Sequence, residues 1–444
     1  MWKVTGPSAA GKKLVGVGVF RSFSCSSNWN SDKHCYDVAV VGGGIVGPAV
    51  VREVQTRYPT LKCAILEKES SFAQHQSGRS SGVIHAGIYY KPDSLMAKLC
   101  VSGLHKMYKF CERHKIPHER CGKLIVATER EELPRLDELL SRAKVNNVPD
   151  VKMIEGNEIK DIEPHCQGLR AIHSPHTGIV DYGAVANHLV ELFRRDGGQT
   201  YTNFEVSSFS KPEATSSEYV CIHGNDKDTV IKSKYVITCA GLYSDKVAQM
   251  SGGDRLPKIV PFRGDYLVLK PGKRHLARGN IYPVPDPRFP FLGFHFTPRM
   301  NGDMWLGPNA VLAFKREGYS PFDFNAKEFI EAITYRGVQK LVLKNFGYAA
   351  SELYYGVNLR ATVKKLQRFI PDITPDDVER GPSGVRAIAL APDGTLVSDF
   401  IYEGGTGDFS PHMLHVRNAP SPAATSSLAI AEMVVDEAQK RFHL

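Results

Sequence analysis

The amino-acid sequence predicts an α/β protein in which a dinucleotide-binding, Rossmann-like domain (a parallel sheet with helices) is followed by a second domain on an antiparallel sheet. Three observations lead there. An apolar strand, Tyr36–Val41, runs directly into a G-x-G-x-x-G turn at residues 42–47. Asn301-Gly302 separates two apolar runs within 289–309, the strongest short-range hairpin signal. The chain has 444 residues, beyond the size at which one hydrophobic core keeps growing.

The first 31 residues contain no Asp or Glu, but carry Lys3, Lys12, Lys13, Arg21 and six serines. A basic, Ser-rich, acid-free start has the composition of a mitochondrial transit peptide, which we extend to residue 35. Five positive charges and one negative charge fall in that segment, so +5 of the net +9 belongs to the rest of the chain. A balance of that size suits anionic small molecules or an anionic membrane surface rather than nucleic acid. Lys and Arg never stand more than two abreast, and the densest stretches, GKRHLAR (272–278) and VKKLQR (363–368), lack aromatic platforms. No apolar run approaches the ~18 residues of a membrane span. The nine cysteines form no CxxC pair, so free thiols in a reducing compartment are expected and a metal site is not.

Each glycine of the first turn has a task. Gly42 permits the tight turn, Gly44 lets backbone approach a pyrophosphate, and Gly47 lets the helix pack on the strand. The helix N-terminus at Ile45 and Val46 then offers free N–H groups to phosphate, and Pro48 falls in a first turn that has no helical partners to lose. The second strand, Leu61–Leu66, ends at Glu67, placed to accept ribose hydroxyls, with Lys68 beside it. Lys234–Gly241 (KYVITCAG) is an apolar strand ending in small residues, Ala240 and Gly241, like the strand that returns beside the cofactor in FAD enzymes. No second G-x-G-x-x-G follows, so a flavin would be reduced by the substrate itself and reoxidised by an external acceptor.

In 289–309, alternation sets Gly293, His295 and Thr297 on one face and Phe294 and Phe296 on the other. A second strand of this kind, 261–269, alternates Arg263 and Asp265 with Gly264 and Tyr266; Arg263 either clamps a carboxylate or pairs with Asp265. Residues 325–346 show helical apolar spacing (Phe329, Ile330, Ile333, Val338, Leu341, Leu343), read as packing. RGPSGVRAIA (380–389) joins Gly384 to Arg386, a guanidinium suited to bidentate binding of a carboxylate. A small-residue turn then enters a helix near Ala423, Ala424 and Thr425, a second N-terminus for the cofactor.

Several segments are together similar to the L-2-hydroxyglutarate dehydrogenase family: LEKE (66–69), HQSGRSSGVIHAGIYYKPDSLMAKLC (75–100), CGKLIVA (121–127), PHTGIVDY (175–182), TCAGLYSD (238–245), VPFRGDYLVLKPG (260–272), LGPNAVLAFKREGY (306–319) and HVRNAPSPAATSS (415–427). The resemblance runs from about residue 36 to the C-terminus, with departures at Pro48 and Ser80 and a loose match over 399–413. More distantly the chain resembles the glycine/D-amino-acid oxidase group.

The resemblance implies FAD, an antiparallel substrate sheet over the flavin, and oxidation of L-2-hydroxyglutarate to 2-oxoglutarate in mitochondria. Electrons would pass to a respiratory-chain acceptor, a quinone or an electron-transfer flavoprotein, with peripheral attachment to the inner membrane. The alternative within the superfamily is an amine or amino-acid oxidase or dehydrogenase. We divide the chain into a FAD-binding domain (36–95, 165–255, 375–444) and a substrate domain (96–164, 256–374).

The reaction needs a base for the hydroxyl proton while hydride leaves the α-carbon for flavin N5, and cations for the carboxylates. His85 and His295 are the candidates for base and polariser, and Arg386 for the α-carboxylate. Tyr89, Tyr90 and Lys91 follow His85 and could bind the distal carboxylate, as could Arg263 and Tyr266. Ser81, Gly82 and Val83 are assigned to the flavin ring, with Gly82 and Gly87 letting backbone approach it and Gly384 and Arg386 at its edge.

Overall fold

Alternating apolar residues build two large sheets, and the site chemistry hangs on which face of each is covered. The structure, a computed structural model, describes residues 34–444 except 213–217, 227–228 and 289–290. Most of the expected transit peptide (1–33) lies outside the described residues.

The first sheet has eight strands. Cys35–Val41 sits between Val230–Thr238 and Cys63–Leu66 in parallel register, and Cys63–Leu66 pairs in parallel with Gln199–Tyr201. Met413–Asn418 extends the parallel set beside Val230–Thr238, antiparallel strands finish that side, and parallel Gln199–Tyr201 forms the other edge. Val38, Val40 and Ile65 point to one face, where helices Val46–Arg57, Leu95–His114, Tyr182–Arg195 and Ala423–Phe442 cover them with Val50, Val54, Leu104, Val185 and Ile430. Ala39, Val41 and Leu66 point to the other face, against Phe204, Phe209 and Val247. Successive side chains alternate between two covered faces, so the central parallel strands are buried almost continuously.

The second sheet has nine strands and is antiparallel except where Asn280–Pro283 lies parallel to Lys123–Ala127. Its longest pairing joins Lys258–Leu269 to Val378–Leu390. The predicted hairpin is present: His295–Pro298 pairs with Met304–Gly307, and Gly302 takes φ +80 in the turn. A small third sheet joins Val83–Ile84 to Gly178–Val180 and His118–Glu119.

The strand pairing departs from the sequence-based division at three places. Arg170–Ser174 belongs to the second sheet beside Lys123–Ala127, and Val378–Leu390 belongs there too. Helix Leu95–His114 packs instead on the first sheet's helix layer. An apolar period reports that an element is buried, not which sheet buries it.

A second departure concerns residues 325–346. They form helices Ala326–Ile333 and Arg336–Lys344, followed by Phe346–Val357. Val338 and Leu341 pack as expected, but Ile330, Ile333 and Leu343 are exposed, as are Phe346, Leu353 and Val357. The apolar stripe is real, and nothing in the described chain covers this part of it. Among the described residues no helix is long and apolar enough to cross a membrane.

Candidate active site

The glycine turn closes on backbone. A Cβ on Gly42 (φ +111) would lie 2.3 Å from the Cys239 carbonyl oxygen, and one on Gly47 would lie 1.9 Å from the Gly42 carbonyl oxygen. The first strand, the returning strand and the helix meet here only because these side chains are absent. No side chain caps helix Val46–Arg57, so its first-turn N–H groups remain available to an anion, while Ser77 Oγ holds the Ile45 N–H at 2.8 Å. Glu67 accepts from the Gly43 and Glu69 N–H groups at 2.6 and 2.8 Å, and its oxygens retain lone pairs for ribose hydroxyls.

Lys68 turns away into an ionic knot with Glu69, Glu317 (2.8 Å) and His75 (3.1 Å). Burial pulls its pKa down, but Glu317 and Glu69 outweigh that and raise it. Glu69, His75 and Glu317 have metal-ligand spacing, yet the Lys68 ammonium already sits among them within hydrogen-bond distance of all three.

At the other end, helix Ala423–Phe442 also lacks a side-chain cap, and the buried hydroxyls of Ser426 and Ser427 have no hydrogen-bond partner. Two uncapped helix ends, orphaned hydroxyls and glycines without room for a Cβ fit an elongated anionic dinucleotide. Gly42, Gly44, Ile45, Val46, Gly47 and Glu67 could hold its nucleotide half. Ser81, Gly82, Val83, Ala240, Gly241, Gly384, Ala423 and Ala424 could line its ring.

Thr425 differs from this expectation, because its hydroxyl is occupied by protein. It accepts the His85 N–H at 3.1 Å and shares a hydrogen-bonded ring with Tyr182 OH (2.9 Å) and the Val83 carbonyl (3.2 Å). It ties the histidine segment to the helix start. Gly87 also differs: its backbone takes φ +96 and the space its Cβ would take is filled by Val101, 2.9 Å away, so backbone conformation and helix packing explain this glycine.

His85 keeps some accessible surface although it lies deep in the protein, as a cavity-lining group does. Burial, then Lys123 and His295, hold its pKa well below the usual imidazole value. His295, 7% exposed, donates from Nδ1 to the Gly293 carbonyl at 3.0 Å. That bond fixes the Nδ1–H tautomer and leaves the Nε2 lone pair free. Its pKa falls to about 3 because burial, Lys123 and Arg386 together outweigh the Gly293 bond. The ring lies 4.1 Å from that of Tyr282. Thr297 is buried on the same strand, and Phe296 on the opposite face is fully buried in the second sheet's own core, as alternation predicts.

Arg386 is bounded by Phe291, 5.9 Å from its guanidinium, and its buried Nη1 has no hydrogen-bond partner. Tyr266 is buried against Trp305 at 4.8 Å, and burial raises its pKa against the pull of Arg386 and Arg299. Tyr89 and Tyr90 lie deep near Tyr282, with the Tyr89 hydroxyl unpartnered.

Two expected substrate residues fall elsewhere. Arg263 is spent on Asp265 (2.8 and 3.2 Å) and the Ser320 carbonyl (2.9 Å), the structural alternative for it. Lys91 is exposed where the chain turns into helix Leu95–His114.

Sequence reasoning missed Lys123, Tyr282, Arg299 and Trp305. Arg299 donates to the Ser80 carbonyl at 2.8 Å and stacks over Trp305 at 4.1 Å; its guanidinium and the Val180 carbonyl, 2.7 Å away, fill the space a Cβ on Gly82 (φ +79) would take. One signal was legible: a lysine opening KLIVA, a strand otherwise wholly apolar. An open groove of about 490 Å³ between helices Val46–Arg57 and Leu95–His114 holds none of the expected site residues.

Residues 37–437 match the family described as FAD dependent oxidoreductase. The chain belongs to that family. Within this FAD-dependent oxidoreductase family, it is 56% identical to the mitochondrial L-2-hydroxyglutarate dehydrogenase of Nematostella vectensis, covering 92% of this chain and 91% of the relative. The Homo sapiens protein of the same name is 53% identical, covering 95% and 92%. Among solved structures, L-α-glycerophosphate oxidase from Mycoplasma pneumoniae with FAD bound superposes with a TM-score of 0.73 at 23% identity, covering 92% of this chain and 95% of that one. Glycine oxidase from Geobacillus kaustophilus follows at 0.65 and 18%, covering 92% and 95%. These structures share the fold expected here, and FAD is the family's cofactor.

Proposed function

We propose that this protein oxidises L-2-hydroxyglutarate to 2-oxoglutarate in mitochondria, with FAD as the oxidant. The observation that carries the chemistry is a pair of imidazoles, both kept neutral, set among Lys123, Arg386 and buried tyrosines. The names of relatives at 53–56% identity support the substrate and the compartment.

Bound FAD supplies a two-electron acceptor. The protein's own groups do the rest. Arg386 offers its unpartnered Nη1 to the α-carboxylate and orients the hydroxy acid. His85 takes the hydroxyl proton, because its ring makes no hydrogen bond to a described residue and keeps some accessible surface. His295, held by Gly293 and Tyr282 with its Nε2 lone pair free, is the second acceptor in the site and would take that proton in the absence of His85. The surrounding apolar and aromatic residues exclude water.

Electrons leave to a respiratory-chain acceptor, a quinone or an electron-transfer flavoprotein. The exposed apolar side chains of 330–357, with Lys340, Lys344, Lys364 and Lys365 also exposed on these consecutive helices, support peripheral contact with an anionic inner membrane and favour a quinone.

Stopped-flow bleaching of the flavin tests the assignment. L-2-hydroxyglutarate should reduce it, and the D-enantiomer and amino acids should not. His85→Gln should retain FAD and slow reduction about 10²–10⁴-fold, the span of general-base catalysis. His295→Gln should slow it less. Bleaching by an amino acid alone would overturn the substrate, and normal reduction in His85→Gln would move the base to His295.

A further inference from the structure

The second carboxylate of a 2-hydroxy dicarboxylate needs a cation of its own. With Arg263 tied to Asp265 and Lys91 exposed, neither is available inside the site. Lys123 is. It opens the strand Lys123–Ala127, in which every residue is buried, and is itself only 2% exposed. Its strand alternates so that Ile125 and Ala127 share its face toward the first sheet's core, while Leu124 and Val126 enter the second core.

A buried ammonium ordinarily requires an ion-pair partner, and among the described residues no carboxylate bridges to it. The neighbours that act on Lys123 from the packed elements are Cys100 of helix Leu95–His114 and Cys121 of the preceding turn. Its Nζ sits 3.9 Å from the Tyr282 ring centroid and 5.5 Å from that of Tyr89. It acts electrostatically on both His85 and His295, and His295 feels Arg386 as well. Lys123 therefore borders both imidazoles and Arg386 borders His295; neither cation makes an ion pair with a described carboxylate, although Glu352 lies close enough to Arg386 to feel its charge.

We propose that Lys123 binds the distal carboxylate of the substrate while Arg386 binds the α-carboxylate, making Lys123 the residue that selects a dicarboxylate over a 2-hydroxy monocarboxylic acid. Tyr89, whose buried hydroxyl has no partner, is placed to donate to the same carboxylate. The inference rests on the substrate reading above.

A linked proton follows. Burial lowers the Lys123 pKa to about 7, against the opposite pull of Cys100 and Cys121. Above that pH most of the free enzyme holds a neutral amine, and an arriving carboxylate restores the ammonium. Binding at pH 8 should take up a proton, ~0.9 per site, whereas binding at pH 6 should take up almost none.

The experiment uses the oxidised FAD holoenzyme with 2-oxoglutarate as probe, by calorimetry in two buffers of different ionisation heat. The unaltered enzyme should take up close to one proton at pH 8. Lys123→Met should lose that uptake and weaken 2-oxoglutarate binding about 10–100-fold, as removal of a charged hydrogen bond does. Its affinity for 2-oxobutyrate, which lacks the distal carboxylate, should change less than about threefold. In turnover the loss should fall on KM, with kcat at saturation largely kept. Lys123→Arg, always charged, should recover much of the affinity without proton uptake. Equal losses for both ligands, unchanged proton uptake in Lys123→Met, or a collapse of kcat at normal KM would overturn the assignment. If L-2-hydroxyglutarate fails to reduce the flavin of the unaltered enzyme, the substrate reading falls and this inference falls with it.

Discussion

Replacing Thr425 by Val keeps the shape of the side chain and deletes one buried hydroxyl, 1% exposed in the folded chain. That hydroxyl accepts the His85 N–H, and with Tyr182 OH and the Val83 carbonyl it completes a ring of three oxygens. After the change Tyr182 can still donate to Val83, at 3.0 Å, so that carbonyl remains satisfied. The His85 N–H cannot, and an orphaned buried donor costs ~1–3 kcal/mol, with ~1 kcal/mol more for the lost bond to Tyr182. A total of ~2–4 kcal/mol, spread over an unfolding entropy of ~0.9 kcal/mol/K for about 410 residues, lowers Tm by ~2–5 °C. Thr425→Ser keeps the hydroxyl and loses one methyl, ~1 kcal/mol or ~1 °C. The functional consequence is larger, because the lost bond holds the backbone of the proposed base. Flavin reduction by saturating L-2-hydroxyglutarate should slow ~10–100-fold in Thr425→Val, as a displacement of about 1 Å does. It should be near normal in Thr425→Ser, with FAD content unchanged in both. Thermal melts and stopped-flow traces for the pair decide it. If Val and Ser behave alike in both assays, the hydroxyl does not position His85 and the coupling described here is wrong.

Acid should destabilise the fold before its carboxylates titrate. His295 and His415 are held neutral, with pKa values of about 3 and about 4 caused chiefly by burial. Between the ordinary value near 6.5 and these values, the unfolded chain binds protons that the native state refuses. Stability is therefore lost as pH falls, by ~1.4 kcal/mol per unit for each histidine. The urea midpoint at pH 5 should lie clearly below that at pH 7, and equal midpoints would contradict the assignment. The exposed face of 330–357 should carry the protein onto vesicles containing anionic phospholipid, and quinone in those vesicles should reoxidise the reduced flavin. Leu343→Glu with Val357→Glu should abolish flotation while leaving flavin reduction intact; flotation unaffected by the pair would place membrane contact elsewhere.

Much of this site could be read from local chemistry. The turn at Gly42–Gly47, the hairpin at Asn301-Gly302 and the alternation that sets His295 opposite Phe296 all depend on neighbours a few residues away. Spacing and backbone conformation are properties of short segments, so they leave marks in short segments. The function of Arg263 was left between two roles because both its partner and its strand were visible, but the Ser320 carbonyl, 57 residues on, was not.

Local pattern was enough for the cofactor class, the two sheet types and some of the side chains proposed for the chemistry, His85, His295 and Arg386 among them, but not Lys123. Tertiary structure alone decided which of them meet. Lys123 and Tyr282 become neighbours because Asn280–Pro283 lies beside Lys123–Ala127, with Asn280 opposite Lys123, and Thr425 finds His85 across 340 residues. The same distances explain why Gly87 is a packing glycine and why one apolar stripe at 330–357 stays uncovered. Burial sets the charge state of His85, His295 and Lys123. Burial is made by chain segments far apart in sequence, so only the folded protein assigns those charges.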